Sequence, residues 1–155
     1  MTIITEPVLQ IRRRFDVSPE RLFDAWFDRQ EWQSWIGPEG CDCEVPLLEP
    51  RVGGRYQLRM RLTDGRVIPV EGVFTAIDRP HTLAFSWVWA LSANPDTLVR
   101  LSFRAVEGGT ELTLTHEGLS TPENREGHGK GWNSTLNKLA RHVKAPHAKE
   151  QPACP

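Results

Sequence analysis

Hydrophobic and polar residues alternate through the middle of the chain, over residues 43–117, as they do in antiparallel strands with one buried face. The clearest stretch places an apolar side chain at every second position: Tyr56, Leu58, Met60 and Leu62. Asp64-Gly65 then supplies the dipeptide of a tight hairpin. The return strand, 67–77, contains Pro69 and Gly72, which predict a sheet edge or a β-bulge.

The same alternation predicts further strands. Three sets of apolar residues each share one strand face: Leu83, Phe85, Trp87 and Trp89; then Val99, Leu101, Phe103 and Ala105; then Leu112, Leu114 and His116. A loop at 91–95 and a glycine hairpin at 107–110 separate these strands. A weaker alternation over residues 6–16 predicts the first strand.

Two short helices are predicted after the first strand. Ser18-Pro19-Glu20 is typical of a helix start, because serine caps, proline fits the first turn and glutamate faces the positive helix end. Asp28 and Glu31 have the spacing of a capping box, and the helix that they open ends at Gly37-Pro38. The apolar stripes of the two helices are Leu22, Phe23, Trp26 and Phe27, and then Trp32, Trp35 and Ile36.

A long amphipathic helix follows the last strand. Its apolar stripe is formed by His128, Trp132, Leu136, Leu139 and Val143. Two starts are open: a capping box of Ser120 and Glu123, or Thr121 capping ahead of Pro122.

Three glycines interrupt the first turns of this helix. Each of Gly127, Gly129 and Gly131 costs about 1 kcal/mol relative to alanine in a helix interior. A repeated cost of this kind indicates that the helix must lie, without side-chain bulk on its flanks, against a close-packed sheet or a bound molecule.

The element order predicts an α+β fold. We expect a curved antiparallel sheet of six or seven strands, two short helices after the first strand, and a long C-terminal helix. Both helical regions must cover the same sheet face, because only one face alternates apolar, and this arrangement tends to enclose a cavity. Residues 1–155 are expected to form a single domain with its folded core over 6–144 and a disordered tail over 145–155.

Composition and charge limit the classes of partner that are expected. With a net charge of −1 and a pI near 6.5, the chain has no field that would recruit nucleic acid. Membrane insertion is not expected, since no apolar stretch approaches the roughly 18 residues of a membrane span, and the N-terminal residues lack a signal peptide's apolar core. Three cysteines, an odd number, favour reduced thiols and a cytoplasmic protein.

Six tryptophans are many for 155 residues, and clustered indoles often line a pocket or an interface. The candidate ligand-binding residues are those whose registers face the predicted cavity: Trp35, Tyr56, Met60, Trp87, Trp89, His116, His128 and Trp132. Plain core packing is an equally good interpretation of any single one of them. As a group they favour a hydrophobic or aromatic ligand.

Catalytic and metal chemistry have weaker support. His116 and His128 are candidates for hydrogen bonding to a ligand or for acid–base work, although we favour histidines satisfied by backbone carbonyls at the cavity rim. Cys41 and Cys43 form a C-x-C pair without further ligands nearby, so free thiols are expected and no metal or cofactor is predicted. Glu71 is expected to point to solvent.

Four segments resemble the START/SRPBCC superfamily, whose fold is called helix-grip, and within it the branch named for the C-terminal domain of the activator of heat-shock protein 90 ATPase. They are Phe15-Asp-Val-Ser-Pro-Glu-Arg-Leu-Phe-Asp-Ala-Trp, Trp32-Gln-Ser-Trp-Ile-Gly-Pro, Val52-Gly-Gly-Arg-Tyr and Gly127-His-Gly-Lys-Gly-Trp. The similarity extends from about residue 8 to residue 143. The resemblance implies a cavity between the sheet and the long helix. Members of the superfamily that share this cavity include lipid carriers, polyketide cyclases and hormone receptors, so the fold does not define one function, which must be argued from the residues of the site.

The hypothesis favoured by these observations is a non-enzymatic protein that binds a hydrophobic small molecule between the sheet and the last helix. One alternative is a co-chaperone-like or regulatory module that binds a protein, with a chaperone as partner, which predicts an exposed apolar patch and a closed interior. Another is a cyclase- or hydrolase-like enzyme that uses the cavity histidines. Exposed strand edges also leave a homodimer open.

Overall fold

The structure is a computed structural model that describes residues 8–89, 97–119 and 121–144, apart from the side chain of Trp89. In chain order the elements are β1 (Val8–Phe15), α1 (Pro19–Asp24), α2 (Arg29–Trp35), β2 (Asp42–Leu48), β3 (Arg55–Arg61), β4 (Val67–Asp78), β5 (Thr82–Trp89), β6 (Thr97–Val106), β7 (Gly109–Glu117) and α3 (Pro122–Lys144). The predicted loop at 91–95 and tail at 145–155 lie outside the described residues.

All seven strands form one antiparallel sheet in the order β1-β7-β6-β5-β4-β3-β2. Strands β2 to β7 are a meander in which each strand pairs with the next, and β1 closes the far edge by pairing with β7, from Val8 opposite Glu117 to Phe15 opposite Thr110. With the long C-terminal helix and the two short helices after β1, this confirms the predicted α+β helix-grip fold.

Strand β4 is where one local expectation needs correction. It lies between β3 and β5, so it is not a sheet edge, but its register shifts between Phe74 and Ala76, as a bulge would cause. Pro69 costs no described ladder bond to β5, because the pairing of β4 with β5 begins at Val70. A Cβ atom on Gly72 would lie 2.0 Å from the Ser86 carbonyl oxygen, so this position has no room for a side chain.

The predicted helix starts are present. The Ser18 hydroxyl accepts a hydrogen bond from the Arg21 amide at 3.2 Å, and Asp28 Oδ1 accepts from the amides of Gln30 and Glu31 at 2.8 and 3.1 Å. At the start of α3, Thr121 Oγ1 accepts from the Asn124 amide at 3.0 Å, whereas Ser120 lies outside the described residues. These caps satisfy backbone donors that the first helical turn leaves without partners.

The largest part of the core lies between α1, α2 and the concave face of the sheet. Fully buried aromatic rings meet there edge to face or tilted: Trp26, Trp32, Trp35, Tyr56, Phe74 and Phe85. The α3 helix covers the remainder of the same face with Trp132, Leu136, Leu139 and Val143 buried, as its stripe predicts. Within the described residues no helix has both the length and the hydropathy to cross a membrane.

Candidate ligand-binding cavity

A cavity of about 130 Å³ lies under the first half of α3. The helix lines it with Gly127, His128, Gly131, Trp132 and Thr135. The segment after α2 contributes residues 36–38, and the sheet contributes Met60, Leu62, Ile68 and Trp87. The walls formed by described residues are therefore almost entirely apolar and aromatic, with no Asp, Glu, Lys or Arg among them.

The cavity opens toward solvent on one side. Among the lining residues Gly127 is exposed, and Pro38, Leu62 and Gly131 are half-buried. Trp87, Trp132 and Ile68 are buried at the inner end. The more exposed lining residues thus belong to the glycine-bearing turns of α3, the segment after α2 and the β3–β4 hairpin, which together border the entrance.

The three glycines of α3 have two different surroundings: open space at the cavity, or close packing against the sheet. A Cβ atom on Gly127 would meet nothing within 4 Å, and one on Gly131 would only reach Pro38 Cγ at 4.0 Å, so both positions border open space at the cavity. A Cβ atom on Gly129 would instead lie 3.3 Å from Leu9 Cδ1, where α3 packs closely on β1. Two glycines thus border the cavity and the third allows helix and sheet to approach.

A chain of hydrogen bonds fixes the inner wall. The Trp132 indole Nε1 donates to His116 Nδ1 at 3.0 Å, and since indole is a donor only, this ring nitrogen is unprotonated. His116 Nε2 then carries the proton and donates to Thr97 Oγ1 at 2.9 Å. The Thr97 hydroxyl donates in turn to the Trp87 carbonyl oxygen at 2.5 Å. The two cavity tryptophans, whose ring centroids lie 5.0 Å apart, are therefore connected through a buried histidine.

His116 is a neutral positioning residue in this arrangement. Burial lowers its pKa to about 3, and the nearby His128 acts in the same direction. Its two ring nitrogens are occupied by Trp132 and Thr97, so it has no nitrogen with which to exchange a proton with a cavity ligand.

His128 lines the cavity directly and is 6% exposed. Its Nδ1 lies 2.9 Å from the Asn124 carbonyl oxygen one turn earlier, to which it donates. Burial lowers the pKa of His128, partly opposed by this hydrogen bond. The ring stands edge to face with His116 at 5.0 Å between centroids.

The structure divides the sequence-predicted residues into two groups. Met60, Trp87, His128 and Trp132 line the cavity, as their registers predict. His116 is not among the lining residues, but it is hydrogen-bonded to Trp132 and packs edge to face on His128, which both line the cavity. The side chain of Trp89 is not among the described ones.

Trp35 and Tyr56 do not line this cavity, contrary to the register argument. Both are fully buried: the Trp35 indole donates to the Ala25 carbonyl oxygen at 3.1 Å, and Tyr56 packs edge to face on Trp32 at 5.3 Å. The register does place Tyr56 on the concave face, but α2 covers that end of the sheet and fills the space. These two rings belong to the core.

Sequence reasoning missed several lining residues. Thr135 lies seven positions after His128 and therefore on the same helix face, so helical spacing would have found it. Leu62 shares the alternation of β3 and Ile68 that of β4. Ile36 belongs to the predicted apolar stripe of α2, but no periodic signal marks residues 37 and 38, because they follow the end of the helix.

The other residues considered for chemistry are the two cysteines and Glu71. Cys41 and Cys43 are free thiols, and burial raises the pKa of Cys43 to about 12, which keeps it protonated. Glu71 is exposed on the outer sheet face. Within residues 8–89, 97–119 and 121–144, no group of three His, Cys, Asp or Glu side chains is placed to hold a metal ion.

Comparison with known protein families shows which family the chain is related to. The family model described as activator of Hsp90 ATPase homolog 1-like protein matches residues 16–144. The chain belongs to this family. The matched region runs from the start of α1 to the end of α3, so every residue that lines the cavity lies within the family's domain.

Solved structures agree with the family assignment. The AHSA1 protein from Silicibacter pomeroyi is 30% identical, with a TM-score of 0.78 over 91% of this chain and 100% of that one. A protein from Chromobacterium violaceum is 23% identical, with a TM-score of 0.83 over 88% and 96% of the two chains, and shares the fold. A protein from Rhodobacter sphaeroides is 25% identical, with a TM-score of 0.78 over 94% and 99%. No curated protein matches the sequence.

Proposed function

We propose that this protein binds a hydrophobic small molecule in the cavity under α3. The observation that carries the proposal is an open apolar space of about 130 Å³ that is bordered by two helix glycines. Alanine at Gly127 or Gly131 would make a better helix, and neither position requires the absence of a side chain for packing. The glycines at these positions leave space in the cavity, and a binding site needs such space for its ligand.

The geometry gives less support to the two other hypotheses. A protein-binding module with a closed interior does not need an open cavity, and the outer sheet face near it carries opposed charges, with Asp42 opposite Arg61 and Glu44 opposite Arg59. An enzyme that uses His116 as its acid or base would need a ring nitrogen directed at the ligand, whereas both are bonded to protein groups.

The test is a titration followed by the indole N–H signals of Trp87 and Trp132 in two-dimensional NMR spectra, using a panel of apolar compounds that includes phenol, 1-naphthol and decanoic acid. Binding in the cavity should shift these two signals, because both rings form its inner wall. A titration in which no compound shifts either signal contradicts the proposal.

A cavity-filling variant makes the test specific. Gly131→Leu places a branched side chain at the cavity border and should abolish the shifts. Lys130→Leu is the matched control, because Lys130 is the adjacent residue and its side chain is 79% exposed on the outside of α3. Thermal melts of both variants establish that they are folded. Equal loss of binding in the two variants would refute the location.

A further inference from the structure

The cavity has features that restrict the chemical class of ligand, and this restriction rests on the proposed binding function. We propose that it selects an uncharged molecule with a single aromatic ring and one polar substituent, which hydrogen-bonds to the hydroxyl of Thr135. Size, charge, wall chemistry and the single hydroxyl of the described lining each contribute a separate part of the argument.

Size limits the ligand to about one ring. The cavity volume is about 130 Å³. An apolar cavity of roughly 150 Å³ in another protein holds benzene, whereas pockets for drug-sized ligands occupy about 300–1,000 Å³. A fused-ring compound or a long acyl chain would have to displace the walls or remain largely in solvent.

The walls exclude charge. The lining residues that the structure describes include no Lys or Arg that could pair with a carboxylate and no Asp or Glu that could pair with an amine. Among the described lining residues the one titratable side chain is His128, and burial lowers its pKa, so the ring is neutral at pH 7. Burying an ionised group without a partner is strongly unfavourable.

The inner wall suits an aromatic ring better than an alkyl chain. Trp87 and Trp132 contact each other with 5.0 Å between ring centroids and 51° between ring planes, so together they present an angled aromatic surface on which a ligand ring can stack or pack edge to face. Met60 adds a polarisable sulfur to the lining, and such sulfur atoms make favourable contacts with ring edges.

Thr135 supplies the polar feature. It is 3% exposed and carries the one hydroxyl among the described residues that line the cavity. A threonine hydroxyl can both donate and accept a hydrogen bond. A ligand hydroxyl or carbonyl in the cavity can therefore bond to it.

The experiment compares five probes by NMR titration at pH 7: phenol, toluene, benzoate, 1-naphthol and decanoate. Phenol and toluene should bind, and benzoate, 1-naphthol and decanoate should each bind at least tenfold more weakly than phenol. If 1-naphthol or decanoate binds as tightly as phenol, the size restriction is wrong although the binding function stands. If benzoate does so, the charge restriction is wrong. If none of the five binds, the proposed function itself fails.

A threonine-to-valine pair tests the hydroxyl. Thr135→Val keeps the shape of the side chain and should weaken phenol about 2- to 13-fold, the ratio that one ordinary net hydrogen bond gives, while toluene is unchanged. Thr113→Val, on the outer face of β7, should change neither. Equal weakening of phenol and toluene by Thr135→Val, or no weakening of phenol, would overturn the role of the hydroxyl.

Discussion

Replacing the three α3 glycines one at a time by alanine tests the account of the cavity most directly. Gly127→Ala, Gly129→Ala and Gly131→Ala each make the same chemical change in one helix, and each should gain about 1 kcal/mol from helix propensity. What differs is the surroundings of the added methyl group. It meets open space at 127, an ordinary contact at 4.0 Å at 131, and Leu9 at 3.3 Å at 129.

The expected stabilities follow from these distances. Gly127→Ala and Gly131→Ala should raise the free energy of unfolding by about 1 kcal/mol and the melting temperature by about 2–4 °C. At Gly129 the neighbouring Leu9 must move by a few tenths of an ångström, so the propensity gain should largely cancel. Urea unfolding followed by circular dichroism gives the three values, and an unchanged m-value shows that only stability has changed.

The same variants separate stability from binding. A methyl group at 127 or 131 enters the cavity border, so both variants should bind phenol more weakly than the wild type while unfolding less readily. The reasoning is refuted if Gly129→Ala stabilises as much as the other two, since the distances would then have no consequence. It is also refuted if Gly127→Ala and Gly131→Ala stabilise the protein and leave phenol affinity unchanged.

Three further predictions concern the framework. The pKa of His116 is about 3 in the folded state and near 6.5 in the unfolded state, so the folded state binds fewer protons between these values. Lowering the pH from 6.5 to 4 should therefore reduce the free energy of unfolding by about 3 kcal/mol. Urea midpoints should fall over this pH range, and they should depend less on pH in His116→Gln. Glu31→Ala leaves the Arg21 guanidinium, only 13% exposed, without the carboxylate 2.9 Å away, and should cost about 3 kcal/mol in urea unfolding; a loss below 0.5 kcal/mol would contradict this. Tyr56→Phe removes the hydroxyl bond to the Ser86 carbonyl and should cost about 1 kcal/mol in thermal melts, with phenol binding unchanged because this ring is in the core.

The elements that the sequence predicts well are those specified by neighbouring residues. The alternation of β3, the Asp28 cap and the stripe of α3 depend on side chains a few positions apart, and all three are present in the structure. The same holds for Thr121, whose capping bond spans three residues. Local geometry and local hydrogen bonds therefore sufficed to place most of the elements.

The site depended on contacts between distant parts of the chain. Tyr56 and Met60 lie on the same face of β3, yet only Met60 reaches the cavity, since α2 and Trp32 cover the other end of the strand. His116 had the predicted inward register, but its role comes from Trp132 on α3 and Thr97 on β6.

By itself, then, the sequence determined which side chains face the interior and that the last helix carries glycines at a cost. Only the tertiary structure decided that Gly127 and Gly131 border open space while Gly129 packs on Leu9. The physical reason is that periodicity fixes the direction of a side chain, whereas the space it enters is filled or left empty by elements far away in the sequence.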